Sequence, residues 1–318
     1  MKKLLIIDFF NLMHRAFHAY PKDFKTSKGI PTNAVYGFTN LLLTYLIKIK
    51  PTHVVIAYED DEAPRLRNEE YAEYKANRTW AEKHPEEAEL FYKQVPYALE
   101  ILDSLGIKYI KCNGYEADDV IGTLANKLPK DTEIIILSND QDFLQLTEFL
   151  NVKVLRPARP PYVKETLFDK KEVIKKFGFE PSKIPDYKGL RGDPSDNIPG
   201  VPGIGDKTAK NLLKKFNSIE DIYKNLDKVE PKRIKTLLEK NKDSALLSKK
   251  LAEIDINCPI NIDLDKYKIN KLNTKKAKKI FEELEFKSLL KKLDKIDGVE
   301  NKGESKEVEE TKQPVLFS

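Results

Sequence analysis

The chain has 318 residues, 34% of them charged, with 56 Lys and Arg against 51 Asp and Glu for a formal net charge of +5. That length buries a substantial core and suggests roughly two domains, no apolar stretch approaches the roughly 20 residues of a membrane span, and two cysteines without metal-type spacing, Cys112 and Cys258, suit a reducing compartment. Residues 299–318 hold five acids against three lysines, which leaves +7 on residues 1–298, and a basic body with acid-rich segments points to a polyanionic partner handled with the help of metal.

In chain order, Lys3 to Asp8 reads as a buried strand, and Asp8 interrupts the apolar run too early for a signal peptide, so an intracellular, cytoplasmic chain is expected. A helix follows over 32–49 with Thr32 as its N-cap, then a strand over 53–57. From Asp60 to about Val95 the pattern turns charged and aromatic, with Tyr71, Tyr74, Trp80, Phe91 and Tyr92. This connection is longer than a crossover needs and reads either as a lid or substrate guide or as a solvated helical excursion. A helix over 86–105, a strand over 107–110, a helix over 116–127 and strands over 133–138 and 152–155 complete an alternation that predicts a mostly parallel, doubly wound α/β sheet. After about Gly178 strands stop and Lys-rich helices predict a separate α-helical lobe over 179–298. Residues 299–318 are polar and charged and are expected to be disordered.

Nine carboxylates end apolar runs or lie in turns just beyond them: Asp8, Asp60, Glu116, Asp118, Asp119, Asp140, Asp142, Asp193 and Asp196. The carboxyl edge of an open α/β sheet is where such folds build their sites. Crowded acids raise one another's pKa unless a cation sits among them, and an all-oxygen set suits Mg²⁺ or Mn²⁺. Each acid alone also reads as a turn residue or helix cap; their recurrence at strand ends is what predicts a divalent-metal centre.

Gly200-Val201-Pro202-Gly203-Ile204-Gly205-Asp206-Lys207 has the form of the hairpin and second helix of a helix-hairpin-helix. Gly203 and Gly205 would let the backbone approach a phosphate, and Lys207, Lys210 and Lys214 follow at helical spacing on one face. The bland alternative is a Gly-rich turn before a solvated lysine face.

Glu116-Ala117-Asp118-Asp119, Asp140-Gln141-Asp142, the run from Gly192 to Val201 and Gly203-Ile204-Gly205 resemble, in this order, the 5′-nuclease domain of bacterial DNA polymerase I and its flap-endonuclease relatives, over about residues 1–290. The resemblance implies a PIN-like core with a helical arch over about 60–95, and two-metal-ion hydrolysis of phosphodiesters. Asp8, Asp60, Glu116 and Asp118 match the group around a first ion and Asp140, Asp142 and Asp193 that around a second, while Asp119 and Asp196 match positions that act either through water or by supporting the ligands from behind. Lys75 and Arg78 match basic arch residues that neutralise the scissile phosphate, and Arg15 matches a basic residue beside the site. A K⁺ ion at the hairpin is a further implication. Phe9-Phe10 after Asp8 and Glu59 before Asp60 depart from the pattern.

The implied activity is that of a free-standing, monomeric 5′→3′ exonuclease and flap endonuclease of DNA replication and repair, taking DNA with a 5′ flap or 5′ end and RNA primers on RNA–DNA hybrids, with nucleoid association. Gln313-Pro314-Val315-Leu316-Phe317 resembles the peptide by which bacterial replication proteins dock on the sliding clamp, Gln313, Leu316 and Phe317 being its contact residues. The rival from another class is a non-catalytic branched-DNA binder tethered to the clamp; it would be expected to have lost ligands, and all nine acids are kept.

Overall fold

A computed structural model describes residues 2–60, 62–159, 161–269 and 272–296. Strand β1 (Lys3–Asp8) runs directly into helix α1 (Phe9–Ala19), because Asp8 both ends the strand and caps the helix, its carboxylate accepting the amide of Asn11. Helix α2 (Asn33–Ile49) and strand β2 (His53–Ala57) follow. Thr32 stands at the N-cap position of α2 but makes no capping bond; the buried Gln94 accepts the amides of Ala34 (2.8 Å) and Val35 (3.2 Å) instead.

The segment after β2 consists of helices α3 (Arg65–Glu70), α4 (Trp80–Lys83) and α5 (Pro85–Tyr92), and α6 (Val95–Leu105) returns the chain to strand β3 (Lys108–Ile110). Trp80 anchors α4 on α1, its ring 5.7 Å from His14 and from Phe17 and 5.6 Å from His18. Helix α7 (Ala117–Lys127), strand β4 (Glu133–Leu137), a 3₁₀ stretch (Asp142–Glu148), and strands β5 (Val152–Arg156) and β6 (Thr166–Phe168) complete the sheet.

The sheet order is β3-β2-β1-β4-β5-β6, all parallel except β6 against β5. Chain progression reverses at β1, which pairs Leu4 with His53 on one side and with Ile134 on the other. The crevice beyond the carboxyl ends of β1 and β4 is therefore the topological switch point, where doubly wound sheets bind ligands. Leu4, Ile6, Val55, Ala57, Ile134 and Ile136 face one apolar layer, while Leu5, Ile7, Val54, Ile56, Ile135 and Leu137 face the other. Burial on both faces is why these strands read as unbroken apolar runs.

Beyond β6 lie α8 (Lys170–Phe177), α9 (Ile184–Arg191), α10 (Asp206–Lys215), α11 (Ile219–Lys224), α12 (Lys232–Lys240), α13 (Lys242–Ala252), α14 (Thr274–Glu283) and α15 (Lys287–Ile296). Helices α9 and α13 lie against each other. The sequence placed 179–298 in one lobe, but α14 and α15 leave it: Ala277, Phe281, Leu289 and Leu293 are buried in the layer that contains α2 and α6. No helix among the described residues is long and apolar enough to cross a membrane.

Candidate metal centre

The acidic side chains are delivered by several separate elements. Asp8, at the end of β1, accepts Ser138 Oγ at 2.8 Å and the Asn11 amide at 3.3 Å. The loop after β4 carries Asp140, whose carboxylate accepts the Asp142 amide at 2.8 Å and whose own amide donates to Ser138 Oγ at 3.0 Å. Asn139 between them is fixed from α1, its amide donating to Asn11 Oδ1 at 3.0 Å and its side chain accepting from Arg15 at 2.6 Å. Glu116 is the N-cap of α7 and Asp118 lies in its first turn.

Asp8, Asp60, Glu116, Asp118 and Asp140 line one cleft of about 470 Å³, with Lys75, Arg78 and Glu59. Beside it, Asp142, Asp193 and Asp196 form a triad in which one carboxylate oxygen from each lies within 4.8 Å of the other two. Outer members of the first group are paired with cations: Glu116 binds Lys75, Arg67 (2.8 Å) and Tyr74 OH (3.1 Å), and Asp60 binds Lys111 (2.8 Å). Asp8, by contrast, is held by a hydroxyl and an amide, which carry no compensating charge.

Electrostatics follow from this crowding. Burial raises the Asp8 carboxyl to about 7, with repulsion from Asp140 and Glu59 added and Ser138 opposing. Burial and the charges of Asp140 and Asp8 hold Asp118 well above the usual carboxylate range. Asp142 is likewise pushed to about 7 by burial and Asp140, against the pull of Lys188. Asp193 lies low despite burial, because the Lys188 ammonium, 2.5 Å away, and Ser195 stabilise its anion.

The fit to divalent cations rests on this donor set: clustered hard oxygens, a triad converging on one point, and carboxylates that resist ionisation beside each other. A pH dependence results. Acids with raised folded-state values bind protons more tightly folded than unfolded, so their contribution to stability is complete below about pH 4 and is lost as pH rises through about 7. Divalent ions need the deprotonated carboxylates. The rise in thermal midpoint on replacing EDTA with Mg²⁺ is expected to be several degrees at pH 8 and close to zero at pH 5; equal rises at both would contradict the assignment.

Two expected site residues are placed elsewhere. Asp119 does not line the cleft; its oxygens accept Arg67 (both at 2.6 Å), the Glu116 amide (3.3 Å) and the Asp255 amide (2.9 Å), which ties α7 to α3 and to the chain beyond α13. Arg15 does not reach the cleft because its guanidinium is committed to Asn139, Pro157 O (3.2 Å) and Ala158 O; it positions the loop carrying Asp140. Lys75 and Arg78 line the cleft as expected, Arg78 paired with Asp196 at 2.5 Å. The two departures are accommodated: Phe9 is buried in the core, while Phe10 and Glu59 line the cleft.

The sequence reading missed Lys188, Arg67 and Ser138. Lys188 is a buried ammonium on Asp142 and Asp193, in a helix where Ile184 to Leu190 are all buried. Nothing in its neighbours, Lys-Gly-Leu-Arg-Gly-Asp, separates it from a solvated turn.

The hairpin lies between α9 and α10. Gly203 has φ of +89°, and a Cβ on Gly205 would meet nothing within 4 Å, so the backbone there is open to a close approach. Lys207 is exposed, and Lys214 runs beside Gly178. Lys210 turns back onto Asp206 at 2.9 Å, so the three ammonium groups do not form one free face. Gln313, Leu316 and Phe317 lie outside the described residues.

A family profile described as "5'-3' exonuclease, N-terminal resolvase-like domain" matches residues 3–178, and one described as "5'-3' exonuclease, C-terminal SAM fold" matches residues 179–275. The chain is 43% identical to DNA polymerase I of Caldicellulosiruptor bescii over 92% of its length, and spans only 33% of that protein. It is 41% identical to a 5'-3' exonuclease of Aquifex aeolicus, covering 93% of this chain and 96% of that one. Among solved structures, the zinc-bound bacteriophage T5 5'-exonuclease superposes with a TM-score of 0.66 over 88% of this chain and 99% of the other, at 21% identity.

Proposed function

The chain belongs to the 5'-3' exonuclease family, and from that premise we propose that it is a structure-specific 5′-nuclease, acting as a 5′→3′ exonuclease and flap endonuclease in DNA replication and repair, RNA primers included. The observation that carries the reading is the convergence of Asp8, Asp60, Glu116, Asp118 and Asp140 on one cleft, with the Asp142–Asp193–Asp196 triad beside it.

In this reading Asp8, Asp60, Glu116 and Asp118 hold one divalent ion, and Asp142, Asp193 and Asp196 a second, with Asp140 between the groups. Bound Mg²⁺ or Mn²⁺ supplies the positive charge that activates water for attack on phosphorus and stabilises the leaving oxygen. Lys75 and Arg78 present fixed cations to the same cleft and offset charge that develops on the phosphate. Glu116 and Asp196, their ion-pair partners, hold these groups in place before substrate arrives. Tyr92 and Phe10 add ring surface to the cleft wall, suited to a nucleobase next to the reacting phosphate. Gly203, Gly205 and Lys207 at the hairpin hold a duplex phosphate, where K⁺ also fits the open backbone.

The Gln313–Phe317 segment docks a monomeric enzyme on the sliding clamp and raises its concentration at DNA. The test uses a 5′-flap duplex. Cleavage is expected with Mg²⁺ and absent in EDTA, and the chain lacking residues 313–318 should cleave equally well but no longer be retained by the clamp. Cleavage insensitive to EDTA would defeat the metal reading, and undiminished retention the clamp reading.

A further inference from the structure

Four cations and three aromatic rings alternate beside the Asp142–Asp193–Asp196 triad. Arg156, at the end of β5, lies over the Phe168 ring at 5.5 Å. Lys176 of α8 lies over Phe168 at 5.1 Å and over Phe177 at 5.0 Å. Lys210 of α10 follows over Phe177 at 5.5 Å and Tyr187 at 5.9 Å, and Arg191 closes the row over Tyr187 at 5.5 Å. The rings are a buried floor, and the cations form a lid that is half-buried to exposed.

The row holds more positive charge than it neutralises. Among the described residues, Asp206 on Lys210 is the one carboxylate ion-paired with any of the four. Among the described residues, the buried Arg156 Nε has no hydrogen-bond acceptor. Lys176 donates to a neutral amide, Gln141 Oε1, at 2.8 Å. Its affinity for a proton is lowered, first by partial desolvation and then by the neighbouring charges of Arg156 and Lys210. Ring faces explain how the cations are held but leave their net charge standing.

We propose that Arg156, Lys176 and Lys210 form a phosphate-binding array that takes successive phosphates of the duplex part of the substrate, beside the cleft. One end meets Gln141, between Asp140 and Asp142; the other reaches Arg191, directly before Gly192-Asp193, and the hairpin helix α10. A backbone bound along this row is registered against the triad by the same residues that carry it. Duplex rather than single strand is favoured because the row joins the hairpin helix through Lys210. The array offers charge and no exposed ring, so it positions without reading sequence.

The proposal rests on the nuclease reading, and its test measures binding without cleavage. Fluorescence anisotropy in EDTA would follow a 5′-flap duplex and the matching single strand across a KCl series. With Arg156→Ala and Lys176→Ala combined, the duplex slope of log K against log salt is expected to become shallower by about 1.8, two phosphates at about 0.9 each, and affinity at low salt to fall about tenfold. Lys176 is exposed, so Lys176→Gln alone leaves folding intact and should change the slope by about 0.9, while Lys176→Arg should retain the wild-type slope. Single-strand binding should be unaltered. Unchanged duplex slopes in a wild type that binds duplex would overturn the array alone; equal losses for duplex and single strand would overturn its assignment to duplex. A wild type that ignores duplex would overturn the nuclease reading with it.

Discussion

Alanine at Asp118 is expected to lower the cleavage rate of a 5′-flap duplex at saturating Mg²⁺ by a factor of about 1,000 or more, with duplex affinity in EDTA within about threefold of wild type. Asp118 sits among Asp140, Asp8, Asp142 and Lys75, and its ionised form is opposed by burial and by those acids. Removing it deletes a ligand from the centre of the cleft and at the same time relieves repulsion. The loss of activity should therefore come without a loss of stability: the thermal midpoint in EDTA is expected to stay level or rise. This separates a functional carboxylate from a structural one such as Asp119, whose removal would cost the Arg67 guanidinium its two-pronged partner and leave the Glu116 and Asp255 amides without theirs. Asp118→Ala retaining more than a tenth of wild-type activity would sink the assignment.

Gly200→Ala is expected to destabilise the fold by about 3 kcal/mol, or a fall of roughly 6–12 °C in thermal midpoint. Gly200 has φ of +64°, and an added Cβ would fall on the Gly192 backbone, 2.6 Å from its Cα and 2.7 Å from the Arg191 carbonyl carbon. Gly192 faces the same limit, with the Ile198 and Pro199 carbonyl oxygens 2.8 Å from its own Cβ position. The two chain segments cross backbone against backbone, and Ser248 Oγ, accepting the Gly200 amide at 2.9 Å, locks the crossing to α13. Asp193 is the next residue, so displacement there reaches the triad. Gly205→Ala is the control: its Cβ enters open space and only the poorer N-cap of α10 is felt, so the loss should stay near or below about 1 kcal/mol while duplex binding weakens. Equal melting of both variants would contradict the crossing as the source of the effect.

Much of this architecture was legible because the physics was local. Leu4 to Ile7 and Ile134 to Leu137 are buried on both faces, so their apolar runs stand out, and their acids follow directly. Helix α1 was not legible because Asp8 serves two elements and no loop separates them. Strand β6 is three residues at the sheet edge, too short to carry a pattern. In the first turn of α7 the structure sends Glu116 and Asp118 to the cleft and Asp119 inward, a division that the run of acids does not mark. The identity of the acids could thus be read, but not which would be neutralised within the protein. That depends on Arg67 and Lys188, 49 and 46 positions from Glu116 and Asp142, and no spacing along the chain records such pairings.

The loop carrying Lys75 is sewn to the loop carrying Asp193 and Asp196. The Lys75 amide donates to Asp196 O at 2.9 Å, Asn77 to Pro194 O and Asn197 to Glu73 O at 2.6 Å each, and Arg78 closes the seam on the Asp196 carboxylate. A nucleic-acid strand that pushes the first loop aside must carry the second with it. Displacement of the first loop and the geometry of the triad are thus one mechanical event, and while the first loop stays put the carboxylates of the second stay where they rest.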